Sequence, residues 1–236
     1  MRIAVVSDIH ANIEALRAAL RIIDDKRVDR IVCLGDVVGY GANPNECLAL
    51  ICQRTPFIVL GNHDEAAFDL SRLHHFNPHA RVAAQWTHAH TTKENQDILR
   101  GLALAMDVEG ALFVHGSPCR PGEWNYIITR EDAQHNFGSF DQAVCFVGHS
   151  HVPEIFLQKP AQAKISKLDR TNRCIINVGS IGQPRDGDWR LSFGILDTEE
   201  WTYENVRAEY DVRSAYRKIL EAGLPRILAE RLLVGK

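Results

Sequence analysis

The chain of 236 residues is 45% hydrophobic and has a formal net charge of −3 at pH 7. This length and hydrophobic content suffice for the core of one α/β domain, so we expect a single domain over residues 1–236. The near-neutral charge gives no basic surface for a nucleic-acid backbone, which argues against a dedicated nucleic-acid binder.

The first third of the chain alternates strand-like and helix-like patterns. Apolar runs predict strands over residues 2–6, 31–34 and 57–60, and apolar residues at helical spacing predict helices over residues 11–25 and 45–53. This βαβαβ order implies a parallel sheet with helices on its faces.

A polar segment with helical pattern follows over residues 64–100, and Asn77-Pro78 is a predicted helix start within it. The segment resembles an inserted cap. Further strands are predicted over residues 112–114, 143–147, 155–157, 174–178, 191–196 and 202–207, the last two forming a hairpin that turns near residues 197–200. These strands predict a second sheet that faces the first. The tail over residues 212–233 has the pattern of an amphipathic helix, broken near residues 223–225.

Metal-ligand side chains recur in five short motifs that follow apolar runs. The motifs are Asp8-Ile9-His10, Gly35-Asp36, Gly61-Asn62-His63-Asp64, His115-Gly116 and Gly148-His149-Ser150-His151. In open α/β sheets, ligands bind beyond the carboxyl ends of the strands, where the first three motifs fall. No single motif would justify a metal site, but their order and residue types together predict a site for two metal ions.

The motif side chains suit a pair of divalent ions. In an extended strand end, Asp8 and His10 would point the same way and hold one ion together. The Asp36 carboxylate has two oxygens and can bridge two cations about 3.5–4 Å apart. A mixture of Asp, Asn and His ligands favours Mn²⁺, Fe²⁺, Co²⁺ or Zn²⁺ over Ca²⁺. Such a pair lowers the pKa of a bridging water to near neutral and neutralises charge on a phosphate.

In this order, the five motifs resemble those of the calcineurin-like metallophosphoesterase superfamily. The resemblance implies an α/β fold of two facing mixed β-sheets flanked by helices, a four-layer αββα sandwich with a small helical cap over about residues 64–100. It implies one metal ion held by Asp8, His10, Asp36 and His151, and a second held by Asp36, Asn62, His115 and His149. His63 is then free of metal and matches a catalytic histidine that stabilises charge on the leaving group or donates a proton to it.

Three other segments resemble a bacterial and archaeal subgroup of small phosphodiesterase-like members of this superfamily. These segments are residues 41–47, 115–118 and 177–188. Protein phosphatases and symmetrical dinucleoside tetraphosphate hydrolases have an aspartate and an arginine where this chain has Gly39 and Tyr40. The difference argues against a protein phosphatase and leaves His63 without an orienting aspartate. Tyr40 also lies four residues after Asp36, rather than the three of purple acid phosphatases, which argues against a tyrosinate-iron site.

Several residues beside the motifs are candidates for contact with the substrate. Asn12 could donate an amide N–H to phosphate, and Arg185 a fork of donors, although an ion pair between Arg185 and Asp186 is an equal alternative. Asp64 either orients His63 or caps a helix N-terminus. The aromatic residues Trp124 and Tyr126 either stack on a nucleobase or pack in the core or in a lid.

The leading functional hypothesis is a binuclear phosphoesterase that hydrolyses phosphodiesters by attack of a metal-bridging hydroxide. The alternatives in the same class are a phosphomonoesterase and a nucleotide or dinucleoside polyphosphate hydrolase. A non-catalytic binding scaffold is the alternative of another class, and a nuclease is a weaker one. The expected cofactors are two divalent ions, first Mn²⁺, with Fe, Zn, Co or Ni as alternatives. The expected partner is a small phosphoester or nucleotide, and the exposed helical faces permit a homo-oligomer.

The start of the chain and its cysteines bear on location. Met1 leads directly into an apolar run that ends at Asp8, without the features of a signal peptide. No segment approaches the ~18 apolar residues that cross a bilayer. The six cysteines form no Cys-x-x-Cys pair, which predicts reduced and mostly buried thiols. We therefore expect a cytoplasmic protein that is not attached to a membrane.

Overall fold

The computed structural model describes residues 1–159 and 167–236. The strands are β1 (Arg2–Val6), β2 (Arg30–Cys33), β3 (Ala105–Val108), β4 (Ala111–Val114), β5 (Val144–Val147), β6 (Glu154–Leu157), β7 (Cys174–Asn177), β8 (Leu191–Asp197) and β9 (Thr202–Ala208). The helices are α1 (Ile13–Asp25), α2 (Pro44–Arg54), α3 (Asn62–Ala66), α4 (Pro78–His90), α5 (Lys93–Arg100), α6 (Arg130–Asn136), α7 (Val212–Glu221) and α8 (Arg226–Glu230).

The strands form two mixed sheets. The first has the order β2-β1-β8-β9, with β1 and β2 parallel and β8 antiparallel to both of its neighbours. The second has the order β3-β4-β5-β7-β6, in which the three central strands are parallel and the two edge strands antiparallel. The predicted hairpin of the last two strands is present as β8 and β9.

Alternating side chains along the strands build the layers. In β1, Val5 belongs to the apolar cluster between the two sheets, whereas Val6 belongs to the cluster under the helices. In β5, Phe146 likewise faces the other sheet, and Val147 faces a separate outer cluster with α6. Since neighbouring residues of a strand point to opposite faces, both sheets are apolar on both sides. The result is the four-layer αββα sandwich that the resemblance implied.

Residues 57–60 do not form the predicted third strand. Among the described residues, this segment makes two isolated parallel bridges, between Cys33 and Ile58 and between Val59 and Ala103. The segment is extended beside β2 but enters α3 at Asn62, too early for a full ladder. Sequence analysis also missed β3, an edge strand whose residues are mostly half-exposed and therefore lack a clear apolar pattern, and it missed the short helix α6.

The cap and the tail are helical, as predicted. The cap contains α3, a 3₁₀ turn at Leu73–His75, α4 and α5, and Asn77 caps α4 by accepting the N–H of Ala80 at 3.0 Å. The tail helix is broken between α7 and α8, where Gly223 has a φ of +70°.

The positions of most cysteines agree with the prediction of buried thiols. The six thiols are free, and four of them are buried, while Cys52 and Cys119 are exposed. Within residues 1–159 and 167–236, the longest apolar helices fall short of what a bilayer crossing requires.

Candidate metal centre

The five motifs meet at one edge of the sandwich because most of them directly follow parallel strands. Asp8 follows β1, Asp36 follows β2, His115 follows β4 and His149 follows β5. Asn62 is the first residue of α3. The Asp and His side chains of the motifs are almost completely buried. Side chains from distant parts of the sequence are thereby brought to one place, as the sequence predicted.

The backbone at the strand ends differs from the prediction. Asp8 and His10 have φ values of +53° and +49°, so they are in the left-handed region and not in an extended strand end. Asp36, His149 and His151 share this conformation, with φ values of 51°, 65° and 62°. Each such residue costs about 1–2 kcal/mol, and such strain is concentrated at functional sites. The extended geometry expected for Asp8 and His10 was therefore wrong, although the two side chains do converge.

One group of ligand atoms surrounds the Nε2 atom of His10. This atom lies 3.1 Å from His151 Nε2, 3.8 Å from Asp8 Oδ1 and 3.6 Å from Asp36 Oδ2. Asp8 Oδ1 is also 3.3 Å from His151 Nε2. Asp8, His10 and His151 form a compact group that could hold a metal ion.

A second group of ligand atoms surrounds the Nε2 atom of His115. It lies 3.2 Å from Asn62 Oδ1, 3.1 Å from His149 Nδ1 and 3.3 Å from Asp36 Oδ2. The same oxygen of Asp36 therefore faces both groups. These two sets of side chains are the sets that the resemblance implied as ligands, and we keep their role as metal ligands as a proposal.

The four histidines have the tautomers that metal ligation needs. One ring nitrogen of each lies at hydrogen-bond distance from a backbone carbonyl: His10 Nδ1 at 3.1 Å from Val38, His115 Nδ1 at 2.8 Å from Leu34, His151 Nδ1 at 2.6 Å from Gln183, and His149 Nε2 at 2.9 Å from Trp124. Because a carbonyl only accepts, these nitrogens donate. The other nitrogen of each ring is left to bind a cation, as in metal sites with outer-shell partners.

The electrostatics of the two groups also fit bound cations. Burial would raise the pKa of Asp8 and Asp36, but His151 beside Asp8 and His115 beside Asp36 lower both pKa values below the usual range. Burial lowers the pKa of His149 to about 3, and it lowers the pKa of His10 well below the usual value. Asp8 Oδ1 is buried without a hydrogen-bond partner among the described residues. Burial opposes it, but the Asp36 carboxylate raises the pKa of His115 to about 9, so a bound cation would have to displace a proton from this ring. Ionised carboxylates, the neutral imidazoles of His10 and His149 and an unpaired buried oxygen belong to the donor set of a metal site.

Glycines in the motifs allow the close approach of these groups. A Cβ on Gly61 would overlap Asp36 Oδ1, and a Cβ on Gly148 would overlap Ser7 Oγ. Ser7 donates to Asp8 Oδ2 at 2.6 Å, which leaves Oδ1 to face the cluster. The sequence analysis missed Ser7, and its position directly before Asp8 was the available signal.

His63 lies beside the two groups but does not belong to either. Its ring packs between Tyr40, at a centroid distance of 4.3 Å, and Phe76, at 4.9 Å. Its Nδ1 is buried without a hydrogen-bond partner among the described residues. Burial lowers the pKa of His63 to about 4. Aromatic packing thus fixes the orientation of His63, for which sequence analysis identified no partner.

Asp64 caps the N-terminus of a helix, which is one of its two predicted roles; the other was to orient His63. Its carboxylate accepts the N–H of Val38 and of Gly61, both at 3.1 Å, and so closes the start of α3. Burial and the nearby Asp36 raise the pKa of Asp64 to about 7. Both of its oxygens therefore serve backbone groups, and not the ring of His63.

Asn12 and Arg185, the two predicted substrate contacts, have different surroundings. Asn12 caps α1 by accepting the N–H of Ala15 at 3.1 Å, and its amide donates to Gly182 O at 2.9 Å. The predicted contact of Asn12 with phosphate stays a prediction. The Arg185 guanidinium instead lies 5.6 Å from the Tyr40 ring centroid and donates to Gln183 Oε1.

The predicted alternative of an ion pair between Arg185 and Asp186 is wrong, because Asp186 pairs with Arg207. Arg185 is half-buried beside the site and stays our candidate for the phosphate contact.

A cleft of about 370 Å³ opens onto this centre between the cap and the loop over residues 115–129, which joins β4 to α6. Asn62, His63, Tyr126 and His149 are among its lining residues. Arg72 also lines it, forms an ion pair with Glu65 at 3.5 Å and donates to Gly122 O at 2.6 Å. Sequence analysis missed Arg72 because nothing in its local sequence marks it.

Comparison with known proteins gives consistent matches. Residues 1–201 match the family described as the calcineurin-like phosphoesterase superfamily domain. The chain is 40% identical over 243 residues to the uncharacterized protein MJ0912 of Methanocaldococcus jannaschii, covering 99% of this chain and 98% of that protein.

Solved structures agree. The crystal structure of a metallophosphoesterase from Sphaerobacter thermophilus is 41% identical, with coverage of 100% of this chain and 99% of that one and a TM-score of 0.87. The hypothetical protein PH1004 from Pyrococcus horikoshii OT3 has a TM-score of 0.83 at 20% identity, with coverage of 100% and 98%, and shows the same fold.

The two-sheet sandwich with paired Asp and His groups is the architecture of a metallophosphoesterase. The chain belongs to the calcineurin-like phosphoesterase superfamily, since the family match spans residues 1–201. Membership confirms the resemblance that the motifs indicated and points to phosphoester hydrolysis as the class of reaction.

Proposed function

We propose that this protein is a binuclear metal-dependent phosphoesterase that hydrolyses phosphodiesters. The observation that carries the proposal is the position of Asp36 Oδ2, which lies 3.6 Å from His10 Nε2 in one group and 3.3 Å from His115 Nε2 in the other. One carboxylate oxygen shared by two ligand sets is how two cations are held close together.

The residues of the chain have separate tasks in this proposal. Asp8, His10, Asp36 and His151 hold one ion, and Asp36, Asn62, His115 and His149 hold the other. When bound, two such ions activate a water and neutralise phosphate charge. His63, outside both sets, protonates the leaving oxygen or stabilises its charge. Arg185 contacts a phosphate oxygen through its guanidinium.

We propose Mn²⁺ as the resident ion, with Fe, Zn, Co or Ni as alternatives. The two sets combine imidazole nitrogens with carboxylate and amide oxygens and contain no thiolate. Such a mixture suits borderline divalent ions better than Ca²⁺, which prefers oxygen ligands alone. The cytoplasmic location and the oligomeric state expected from the sequence stay predictions.

The test compares two chromogenic substrates. Metal-stripped protein is reloaded with Mn²⁺ and assayed with bis-p-nitrophenyl phosphate and p-nitrophenyl phosphate, with the Asp36→Asn variant as the blank. We expect the diester to be hydrolysed with the higher kcat/KM. We also expect Asp36→Asn to lose activity and both ions together, as measured by elemental analysis.

The other outcomes are equally informative. Preference for the monoester would replace the proposal with a phosphomonoesterase, and no turnover of either compound would favour the non-catalytic scaffold. Retention of two ions by Asp36→Asn at full occupancy would refute the bridging role.

A further inference from the structure

Two clefts flank the metal centre. The cap-side cleft is the one of about 370 Å³ described above, with Tyr40, His63, Phe76, Trp124, Tyr126 and His149 in its walls. The sheet-side cleft has a volume of about 250 Å³ and is lined by Tyr126, Ile128, Ser150, Val152, Phe156 and Arg185. Both volumes are of the size that accommodates part of a small organic ligand.

Both clefts adjoin the centre. Tyr126 belongs to both, and its ring stacks on His149 with 3.9 Å between the centroids and 16° between the planes. Tyr40 lines the cap-side cleft and Arg185 the sheet-side cleft, and the guanidinium lies 5.6 Å from the Tyr40 ring centroid. Ser150, in the sheet-side cleft, separates His149 from His151 in the chain. A phosphate at the centre would therefore adjoin both clefts.

The sheet-side cleft combines exposed apolar side chains with the cation of Arg185 and the carboxylate of Glu154. Ile128 is 63% exposed and Val152 is 36% exposed, although both are large apolar residues. Apolar groups exposed together in a concave surface mark a binding site more often than isolated ones do. The Arg185 guanidinium in the same wall matches the negative charge of a phosphodiester. The walls thus suit an apolar group attached to an anionic phosphate.

We propose, on the basis of the function proposed above, that the centre selects phosphodiesters with a bulky group on each side of the phosphorus. The sheet-side cleft binds an apolar or aromatic ester group, and the cap-side cleft binds the leaving group. His63 lines only the cap-side cleft, which assigns the leaving group to that side.

The chemical balance of the hydrolysis is simple. The oxygen of water forms a bond to phosphorus, the bond from phosphorus to the leaving oxygen breaks, and that oxygen receives a proton. The products are an alcohol in the cap-side cleft and a phosphomonoester whose remaining group is in the sheet-side cleft. A monoester substrate can fill only one cleft, which gives the diester preference a physical cause.

The test varies only the group bound in the sheet-side cleft. Phenyl p-nitrophenyl phosphate and methyl p-nitrophenyl phosphate are both singly charged diesters that release p-nitrophenol. The ratio of their kcat/KM values measures the contribution of an aromatic group at the second position. We expect this ratio to be about ten or more for the Mn²⁺-loaded protein, since burying a ring from water is favourable.

The matched variants are Ile128→Gln and Ile227→Gln. Both residues are exposed isoleucines, and Ile227 is on α8, outside both clefts. The described hydrogen bond at Ile128 is made by its backbone N–H, which donates to Asp132, so the side chain can be exchanged without loss of that contact. We expect Ile128→Gln to lower the phenyl-to-methyl ratio about fivefold, and Ile227→Gln to leave it within about twofold of the wild type.

A binding measurement makes the result independent of turnover. Diphenyl phosphate has poor leaving groups, and its affinity for the Mn²⁺-loaded protein can be measured by calorimetry beside that of dimethyl phosphate. We expect Ile128→Gln to weaken diphenyl phosphate binding about fivefold relative to dimethyl phosphate.

The outcomes separate this inference from the proposed function. If the wild type hydrolyses diesters and Ile128→Gln and Ile227→Gln show the same phenyl-to-methyl ratio, the two-cleft inference is overturned and the proposed function is kept. If no phosphoester is hydrolysed, the proposed function fails, while binding of diphenyl phosphate that depends on Ile128 would still support the sheet-side cleft. Equal calorimetric binding by both variants overturns the cleft assignment.

Discussion

His63 lies so close to Gly39 that position 39 has no room for a side chain. A Cβ on Gly39 would lie 2.6 Å from His63 Nδ1, and the φ of Gly39 is +92°, which strains any other residue. Protein phosphatases of this superfamily have an aspartate at the position of Gly39. In this chain, His63 is instead oriented by packing against Gly39, Tyr40 and Phe76.

At the residue scale, the position of His63 predicts the effect of removing its ring. We expect His63→Ala to lower kcat by roughly 10²–10⁴, the range typical of a positioned acid or base. The metal content, measured by elemental analysis, should stay at the wild-type value, because His63 belongs to neither ligand group. His135→Ala, at an exposed position on α6, is the control. Loss of metal from His63→Ala would show that the ring is itself a ligand.

Helix α1 starts directly after the first motif, so Asn12 caps a helix beside the metal centre. A polar residue two positions beyond His10 can face a substrate or cap a helix, and the local sequence does not distinguish these roles. The partner Gly182 lies 170 residues away, and only the fold brings its carbonyl to the Asn12 amide.

At the element scale, we expect Asn12→Ala to lower the free energy of unfolding by about 2–3 kcal/mol. The substitution removes the cap of α1 and leaves the buried carbonyl of Gly182 unpaired. The control is Asn77→Ala, an exposed cap of α4, for which we expect a loss of only about 1 kcal/mol. Urea unfolding of the two variants measures both values. A large loss of kcat/KM in Asn12→Ala with unchanged stability would instead support the predicted contact with the substrate.

Apolar contacts join the cap, the first sheet and the tail into one cluster. The cluster contains Leu16 from α1, Ala83 from α4, Phe193 from β8 and Leu228 from α8, all almost completely buried. A cap that shares its core with the sheet cannot unfold without exposing that core. We therefore propose that the chain forms one domain over residues 1–236, with the cap as an insertion.

For the whole molecule, we expect a single calorimetric transition whose Tm rises when Mn²⁺ is added to the metal-stripped protein. An ion at a hundred times its Kd stabilises the native state by about 2.7 kcal/mol per site, or roughly 5–10 °C for a chain of this size. Asp36→Asn should lose most of this shift, whereas Asp141→Asn, at an exposed position, should keep it. Two separate transitions would contradict the single domain. A Tm that does not change on addition of Mn²⁺ would contradict the metal centre.

The resemblance of the motifs implied the proposed ligand residues and their division into two groups, while the sequence by itself determined the fold class and the convergence of the five motifs. This was possible because the strand and helix patterns are local, and because the carboxyl ends of parallel strands meet at one edge of a sheet. Weakly patterned elements were the exception: β3 is a half-exposed edge strand, and residues 57–60 pair through isolated bridges only.

Only the tertiary structure decided which partners the residues around the metal centre have. Asp64 bonds to the backbone of Val38, and Asp186 pairs with Arg207, which leaves Arg185 beside Tyr40. The left-handed backbone at the ligands and the two clefts were likewise decided at this level. These features depend on partners contributed by other loops, and a side chain with several possible hydrogen bonds takes the one that the fold brings within reach.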